Sequence, residues 1–492
     1  MRAIKWSKQR CAAWVVGWGV VCFAPGAWAN HDSGTLPAAV RKAMAQANLP
    51  IDSLSAVIQP AGGGHDLLSV APNRPMNPAS ITKLLTTTAG LDLLGPGYLW
   101  HTEFLTDGQV QDNRLQGNLY VRGGGDPKLV LERIQAIYAQ LQAQGIRHIE
   151  GDLVLDNRAF APVTSDANGF DGQVLRPYNV QPDALLVNFK AVILRFTPQP
   201  KSGYATVQVE PTMAGLRVPK KVRLRGGRCG DWHQALRADF SDPRRYRLRG
   251  AYPRACGEQE WPVAYADPQA HAKRALLGLW RASGGRLKGR VRWGQVPARA
   301  TLLLRAPSLP LAQVIQDINK FSNNVMAQQL FLTMAPQQPA TFAGAQQTLT
   351  RWWRRTLPEQ PVPKVVNGSG LTRDGQLSAA ALAALLQHNL AAPYANAFRE
   401  SLAVAGVDGT VKRVGRKPGE AALNGQAWLK TGTLRDVASV AGYVRNQQGH
   451  GLVVVGIINH DPARGGRDAL MQLLAWAARQ PLPDTPAATG RP

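Results

Sequence analysis

The chain has 492 residues, with 57 Lys and Arg against 32 Asp and Glu and a formal net charge of +25. It has four cysteines but no CxxC, and nine histidines but no HExxH, so neither a structural nor a catalytic metal is supported and no cofactor is expected. There is also no G-K-[ST] phosphate loop, Gly123 to Gly125 before Asp126 reading as a turn, and no G-x-S-x-G elbow, which disfavours a P-loop NTPase and an ordinary α/β-hydrolase.

Arg2, Lys5, Lys8 and Arg10 precede an apolar run, and Ala27 and Ala29 offer an A-x-A site. This is the pattern of a signal peptide over residues 1–29, cleaved after Ala29, and it implies export. Cys11 and Cys22 leave with it, while Cys229 and Cys256 remain and read as one disulfide. No second membrane segment is evident. The remaining chain is longer than one compact core organises, so two or three domains are expected.

A helix is expected from Leu36 to Ala47, then two strands, "LSAVIQP" and "LLSVAP", joined by the turn "AGGGHD". "NPASITKLLTT" at 77–87 opens a helix whose apolar residues Ile81, Leu84, Leu85, Leu91 and Leu94 recur at helical spacing up to "GPG" at 95–97. Strand, turn, strand and buried helix predict an α/β core. From 99 to about 305 the texture changes to short strands such as "GNLYVRG", "GDLVLD", "KAVILRF" and "ATVQVE", predicting one or two mainly β domains. Within this stretch residues 220–305 hold 20 Lys or Arg and only 6 Asp or Glu. Helical periodicity returns over 311–335, with a stripe at Leu311, Val314, Ile315, Ile318, Val325 and Leu330, and again over 377–390. Residues 436–446 and 451–459 read as a hairpin, 467–480 as an amphipathic helix and 481–492 as a disordered tail.

The chemistry lies in the segment that opens the first buried helix. Asn77 suits the N-cap, Pro78 the first helical position, and Ser80 then falls in the first turn with Lys83 on the same face. The amine can reach the hydroxyl, and the positive end of the helix favours an oxyanion beside it. A lysine at its ordinary pKa of about 10.4 cannot accept that proton, so burial or a neighbouring cation must favour the neutral form. Lys430 in "WLKTGTL" offers the cation, at the edge of an expected strand to which an extended peptide could add. "FSNNVM" supplies Ser322 as a proton relay and Asn324 as a holder of substrate amide and lysine, at the end of a helix. Alone, each motif is more often structural. Together, S-x-x-K, S-x-N and K-T-G occur once each and in that order.

With this triad the chain resembles the serine penicillin-recognising enzymes. More narrowly it resembles the D-alanyl-D-alanine carboxypeptidase/endopeptidase branch, the class C low-molecular-mass penicillin-binding proteins, through "GNLYVRGGGDP" (117–127), "GDLVLDNRAF" (151–160), "PYNVQPDALLVNF" (177–189), "NGSGLTR" (367–373) and "VAGVDGT" (404–410). The resemblance implies an α/β fold: a transpeptidase-like core, an antiparallel sheet flanked by helices, from 30–98 plus 306–480, with two inserted mainly-β domains. The inserts would be 99–160 plus 251–305 and, nested within it, 161–250. It implies Ser80 as the acylated nucleophile, Lys83 as base, Ser322 and Asn324 as relay and substrate holder, and Lys430 as electrostatic partner. Thr431 would bind the substrate's terminal carboxylate, Gly432 would be a further substrate-binding residue, and the N–H groups of Ser80 and Thr433 would form the oxyanion hole. Asp156, Phe160 and Arg373 fall in segments that in relatives approach the peptide side chain. Two departures stand out, Ser-Asn-Asn where Ser-Asp-Asn is commoner and "NGSG" where "DGSG" is usual.

The implied partners are peptidoglycan stem peptides in the periplasm and β-lactams as covalent inhibitors. The basic insert would suit an anionic envelope polymer or membrane surface, and export disfavours nucleic acid; a solvated arginine face is the plainer alternative. A β-lactamase-like hydrolase shares the triad, but the large insert and the lack of a glutamate motif for deacylation weigh against it. A secreted wall-binding module without catalysis remains the other alternative.

Overall fold

The computed structural model describes residues 35–163, 170–417 and 419–482, so the expected signal peptide and residues 483–492 of the expected tail lie outside the described residues. The first and last parts of the chain meet in one antiparallel six-stranded sheet. Its strands run in the order Ala403–Val404, Ala427–Thr433, Val437–Arg445, Gly451–Asn459, Leu54–Pro60 and Leu68–Val70. Val437–Arg445 and Gly451–Asn459 are buried on both faces, which is why they read as continuous apolar runs. Alternation still decides which face each side chain meets. Val453, Val455 and Ile457 enter one core with the helices Thr82–Leu94, Leu311–Lys320, Asn324–Thr333 and Ala379–Ala391. Leu452, Val454 and Ile458 enter a second core with the helices Ala38–Gln46 and Gly466–Ala477. The α/β class expected from the sequence is the one observed.

Thr82–Leu94 runs through the first core, and every residue from Thr82 to Leu91 is buried. Its hydroxyls therefore need protein partners. Thr86 donates to Gly368 O at 2.6 Å, and Thr88 accepts from Asn389 Nδ2 at 2.8 Å.

Between these parts lie two further five-stranded sheets and a four-stranded one. One is built from Val291–Trp293, Leu153–Asp156, Leu119–Gly123, His101–Thr106 and Thr301–Pro307, the other from Tyr252–Pro253, Lys221–Arg225, Tyr204–Glu210, Ala191–Gln199 and Gln259–Ala264. The second sheet thus reaches past residue 250, the expected limit of the nested unit, because Gln259–Ala264 pairs along Ala191–Gln199. The region is also less purely β than expected. Leu131–Ala143 and Pro268–Ala282 are helices, the former burying Ile134, Ile137, Tyr138 and Leu141 at three- and four-residue spacing. Cys229 and Cys256 form the expected disulfide.

The helical stripe over 311–335 is two helices, Leu311–Lys320 and Asn324–Thr333, separated at Ser322, whose φ of 59° ends the first. Asn323 starts the second by accepting from Met326 N at 3.2 Å. Ser322 therefore lies just past the end of one helix, as expected, and Asn324 is the first residue of the next. An aspartate caps as well as an asparagine, so the Ser-Asn-Asn spelling leaves this geometry intact. Asn323→Ala is expected to cost about 1 kcal/mol of stability, whereas Asn323→Asp keeps the acceptor and the stability. Urea midpoints of the two variants check this, and an equal loss in both would remove the cap as its cause.

Candidate active site

Ser80 sits on a turn rather than in the first turn of the helix. Ala79–Ile81 forms a separate 3-10 turn ahead of Thr82–Leu94, and Ala79 has a φ of 47°, a conformation costly for a residue with a Cβ. Several contacts hold it there. Asn77 accepts from Ala79 N at 2.9 Å and donates to Thr372 O at 3.0 Å, and it exchanges two bonds with Asn459, at 2.7 and 3.0 Å. Thr82 Oγ1 donates to Ala79 O at 2.8 Å. Gly370, with a φ of 76°, approaches so closely that a Cβ there would lie 1.9 Å from Ala79 O.

Lys83 follows one turn later, and none of its side chain is exposed. Its Nζ lies 2.9 Å from Ser80 Oγ, 2.7 Å from Asn324 Oδ1 and 2.6 Å from Ser369 O. Two of these partners are carbonyl oxygens, which can only accept. A neutral amine has two N–H groups for them, and its lone pair then faces the one partner that can donate, the Ser80 hydroxyl. Burial, and secondarily the charge of Lys430, pushes the Lys83 amine well below the ordinary lysine range. The group fits a general base.

Lys430 lies on the strand Ala427–Thr433 and is equally buried; burial brings it down to about 7. Its Nζ donates to Ser322 Oγ at 2.8 Å and to Thr431 O at 2.7 Å. The left-handed backbone at Ser322 turns that hydroxyl toward the strand. Thr431 Oγ1 meets Thr410 Oγ1 at 2.8 Å. At Gly432 a Cβ would fall 2.3 Å from Ser439 Oγ and 2.9 Å from Ser80 N, so only glycine lets the strand pass the nucleophile turn. Leu434 N bonds Val437 O at 2.9 Å, and since ladder pairs alternate, Thr431 and Thr433 turn their N–H and C=O groups to the outer edge.

Ser80, Lys83, Ser322, Asn324, Lys430, Thr431, Gly432 and Thr433 are thus brought together. Asp156, Phe160 and Arg373 are not in hydrogen-bond or packing contact with them. Both Asp156 oxygens are taken, by Arg158 at 3.0 and 2.9 Å and by Val296 N at 3.0 Å. Phe160 is buried with Ala184, Leu332 and Ala340. These two line a separate cavity of about 1220 Å³ that includes neither Ser80 nor Lys83. Arg373 pairs with Asp436 at 2.8 Å and stacks over Phe170 at 5.1 Å.

Other contributors carried no assigned role in the sequence. Ser369 supplies only its carbonyl; its loop is held by Asn367, which accepts from Ser369 N and Oγ at 3.1 and 2.9 Å and donates to Leu371 O at 3.0 Å. Asparagine in "NGSG" therefore makes one bond that an aspartate could not. The Tyr178 carbonyl accepts from Asn324 Nδ2 at 3.1 Å, and Ser439 Oγ donates to Pro78 O at 2.8 Å. Among the described residues there is no group of three or more His, Cys, Asp or Glu able to hold a metal, and no helix is long and apolar enough to cross a membrane.

The family model described as D-Ala-D-Ala carboxypeptidase 3 (S13) matches residues 36–480. The chain is 26% identical over 388 residues to the D-alanyl-D-alanine carboxypeptidase DacB of Haemophilus influenzae, covering 77% of this chain and 80% of that one. It is 27% identical over 418 residues to the D-alanyl-D-alanine carboxypeptidase of Actinomadura sp. strain R39, covering 80% and 75%. In fold it is similar to the crystal structure of penicillin-binding protein 4 from Haemophilus influenzae, with a TM-score of 0.72, 23% identity and coverage of 90% of this chain and 99% of that one.

Lys83 is the group whose protonation should govern reactivity. Burial and the charge of Lys430 lower its pKa and so favour the neutral amine, and the reaction of Ser80 with an acylating agent should slow as pH falls through that pKa. Lys430→Gln removes the repulsive part of the shift and should move this acid limb to higher pH, as stopped-flow acylation across a pH series would reveal; an unmoved or lowered limb would contradict the coupling.

Proposed function

Since the chain belongs to the D-Ala-D-Ala carboxypeptidase 3 (S13) family and is a serine-type D,D-peptidase, we propose that Ser80 is its nucleophile and neutral Lys83 its general base. Lys83 takes the Ser80 proton as Oγ attacks the carbonyl of a D-Ala-D-Ala or D-Ala-diaminopimelate bond in a peptidoglycan stem peptide. The resulting oxyanion faces the N–H groups of Ser80 and Thr433. Collapse breaks the C–N bond and the departing amine takes that same proton back from Lys83 with Ser322 as relay, which leaves Lys83 neutral, so that water then hydrolyses the ester with Lys83 again as base. Asn324 holds the substrate's amide carbonyl, and Thr431 with Lys430 meets its terminal carboxylate. The outer edge of Ala427–Thr433 accepts the peptide as an added strand. A β-lactam carries the same carboxylate and a reactive amide, so it would be attacked in the same way and stall as an ester.

One observation carries this reading: a wholly buried lysine 2.9 Å from a serine hydroxyl, its other two bonds made to carbonyl oxygens. Ser80→Ala should abolish covalent labelling by penicillin, and Lys83→Gln should slow it by at least about a hundredfold, the low end of general-base contributions. Intact-protein mass spectrometry reads the adduct, and muropeptide products identify the bond cut. Labelling of Ser80→Ala would refute the assignment.

The finer setting belongs to the same proposal. The catalytic domain comprises 30–98 and 306–480, with one insert from 99–160 and 265–305 and a nested one from 161–264, and the protein acts in the periplasm. The strand Lys221–Arg225 places Lys221, Arg223 and Arg225 on one exposed face, supporting an anionic envelope polymer as docking partner. Ser80→Ala should keep such retention, and raised salt should release it; salt-independent retention would exclude it.

A further inference from the structure

Asn324 presents two different faces to the site, and the chemistry works with only one orientation of its amide. With Oδ1 toward Lys83, as here at 2.7 Å, the lysine spends an N–H on it and keeps its lone pair for Ser80. Turned over, Asn324 would aim Nδ2 at Lys83 and donate into that lone pair, and its carbonyl would face the substrate carbonyl it should bind. Lys83 alone does not select between the two, because an amine can both donate and accept.

The selection comes from the inserted region. The Tyr178 carbonyl stands 3.1 Å from Asn324 Nδ2, and a carbonyl can only accept, so it admits the amide and rejects the oxygen. Nδ2 keeps a second hydrogen for substrate. The carbonyl is held by a loop that closes around Asp171. Asp171 Oδ2 accepts from Tyr178 OH at 2.7 Å, and its Oδ1 accepts from Asn179 Nδ2 at 2.7 Å and from Gln173 N at 3.0 Å. The buried Asn179 also donates to Gln173 O at 3.0 Å. Leu175 O ties the loop to the insert sheet by accepting from Ala264 N at 2.9 Å. At its other end Phe170 lies against Arg373, whose backbone oxygen accepts from Asn77 at 3.3 Å. One loop therefore touches both the segment that orients the amide and the segment that shapes the nucleophile turn.

We propose that the loop 170–181 is a positioning element for acylation, in which Asp171 fixes Tyr178 so that its carbonyl locks the Asn324 amide with its oxygen toward Lys83. The proposal rests on the acyl-enzyme reading above, and Asp171 and Tyr178 are positioning residues that act through Asn324. The role predicts a slower chemical step and dependence on the amide being present.

The test measures acylation of the full chain by a labelled penicillin, separating the rate constant from the binding constant. Asp171→Ala should lower the rate constant roughly tenfold, about what one lost hydrogen bond amounts to; Asp171→Asn, which keeps acceptor oxygen, should recover most of it. Made in an Asn324→Ala background, Asp171→Ala should change the remaining rate less than roughly twofold, since the group it positions is gone. Tyr178→Phe, which removes only the hydroxyl, repeats the experiment if thermal melting finds Asp171→Ala unfolded. Equal slowing in both backgrounds, or none in the otherwise native chain, would overturn the proposal. Persistent labelling of Ser80→Ala would instead defeat the underlying assignment.

Discussion

Two lysine side chains are buried side by side, and neither has a carboxylate among its hydrogen-bond partners. Charging both in a water-poor interior is prohibitively expensive, so the pair is forced to share its protons. This is the constraint on which the rest of the site depends. In the proposed mechanism Lys83, bonded to carbonyl oxygens and a hydroxyl, is the base, and Lys430, held by a hydroxyl and its neighbour's carbonyl, is the group an incoming carboxylate can recharge. In that mechanism the lack of a protein carboxylate beside the pair is also a form of recognition, because an anionic substrate end supplies the counter-charge.

Holding that pair takes contacts between distant parts of the chain. Lys83 meets Asn324 across 241 residues and Ser369 across 286, while Lys430 meets Ser322 across 108. Two of the site's backbone positions, Ala79 and Ser322, adopt positive φ values that cost energy in isolation. Each is fixed by its surroundings: Ala79 by Asn77, Thr82 and the close approach of Gly370, and Ser322 by the cap at Asn323 and the bond to Lys430. Strain is thus located at Ser322 and at the residue that precedes Ser80.

Much of this is legible in the sequence, for definable reasons. Ser80, Lys83, Ser322, Asn324 and Lys430 announce themselves because their chemistry needs side chains, and the three motifs fall in order. Ser369 and Tyr178 do not, since a backbone carbonyl is the same in every residue and only folding says where it points. Apolar runs such as "GLVVVGIIN" are readable as strands, but their burial on both faces hides which side chain joins which core. The break at Ser322 is masked by an apolar stripe that continues across two helices in similar phase. The helix Leu131–Ala143 does carry a period in Ile134, Ile137, Tyr138 and Leu141, obscured by the strand-rich text around it. Nor does the sequence show the local partner of Asp156, which is Arg158, two residues on.

The strand Leu54–Pro60 pairs with Gly451–Asn459, near the other end of the chain. The sheet that carries Lys430 is therefore incomplete until almost all of the polypeptide has been delivered, whereas the strands and helices between His101 and Pro307 form a contiguous stretch that can collapse on its own first. A chain synthesised only as far as Pro307 would hold a folded insert and a Ser80 with neither Ser322 nor Lys430 beside it, so assembly order itself delays the site until the strand Gly451–Asn459 arrives.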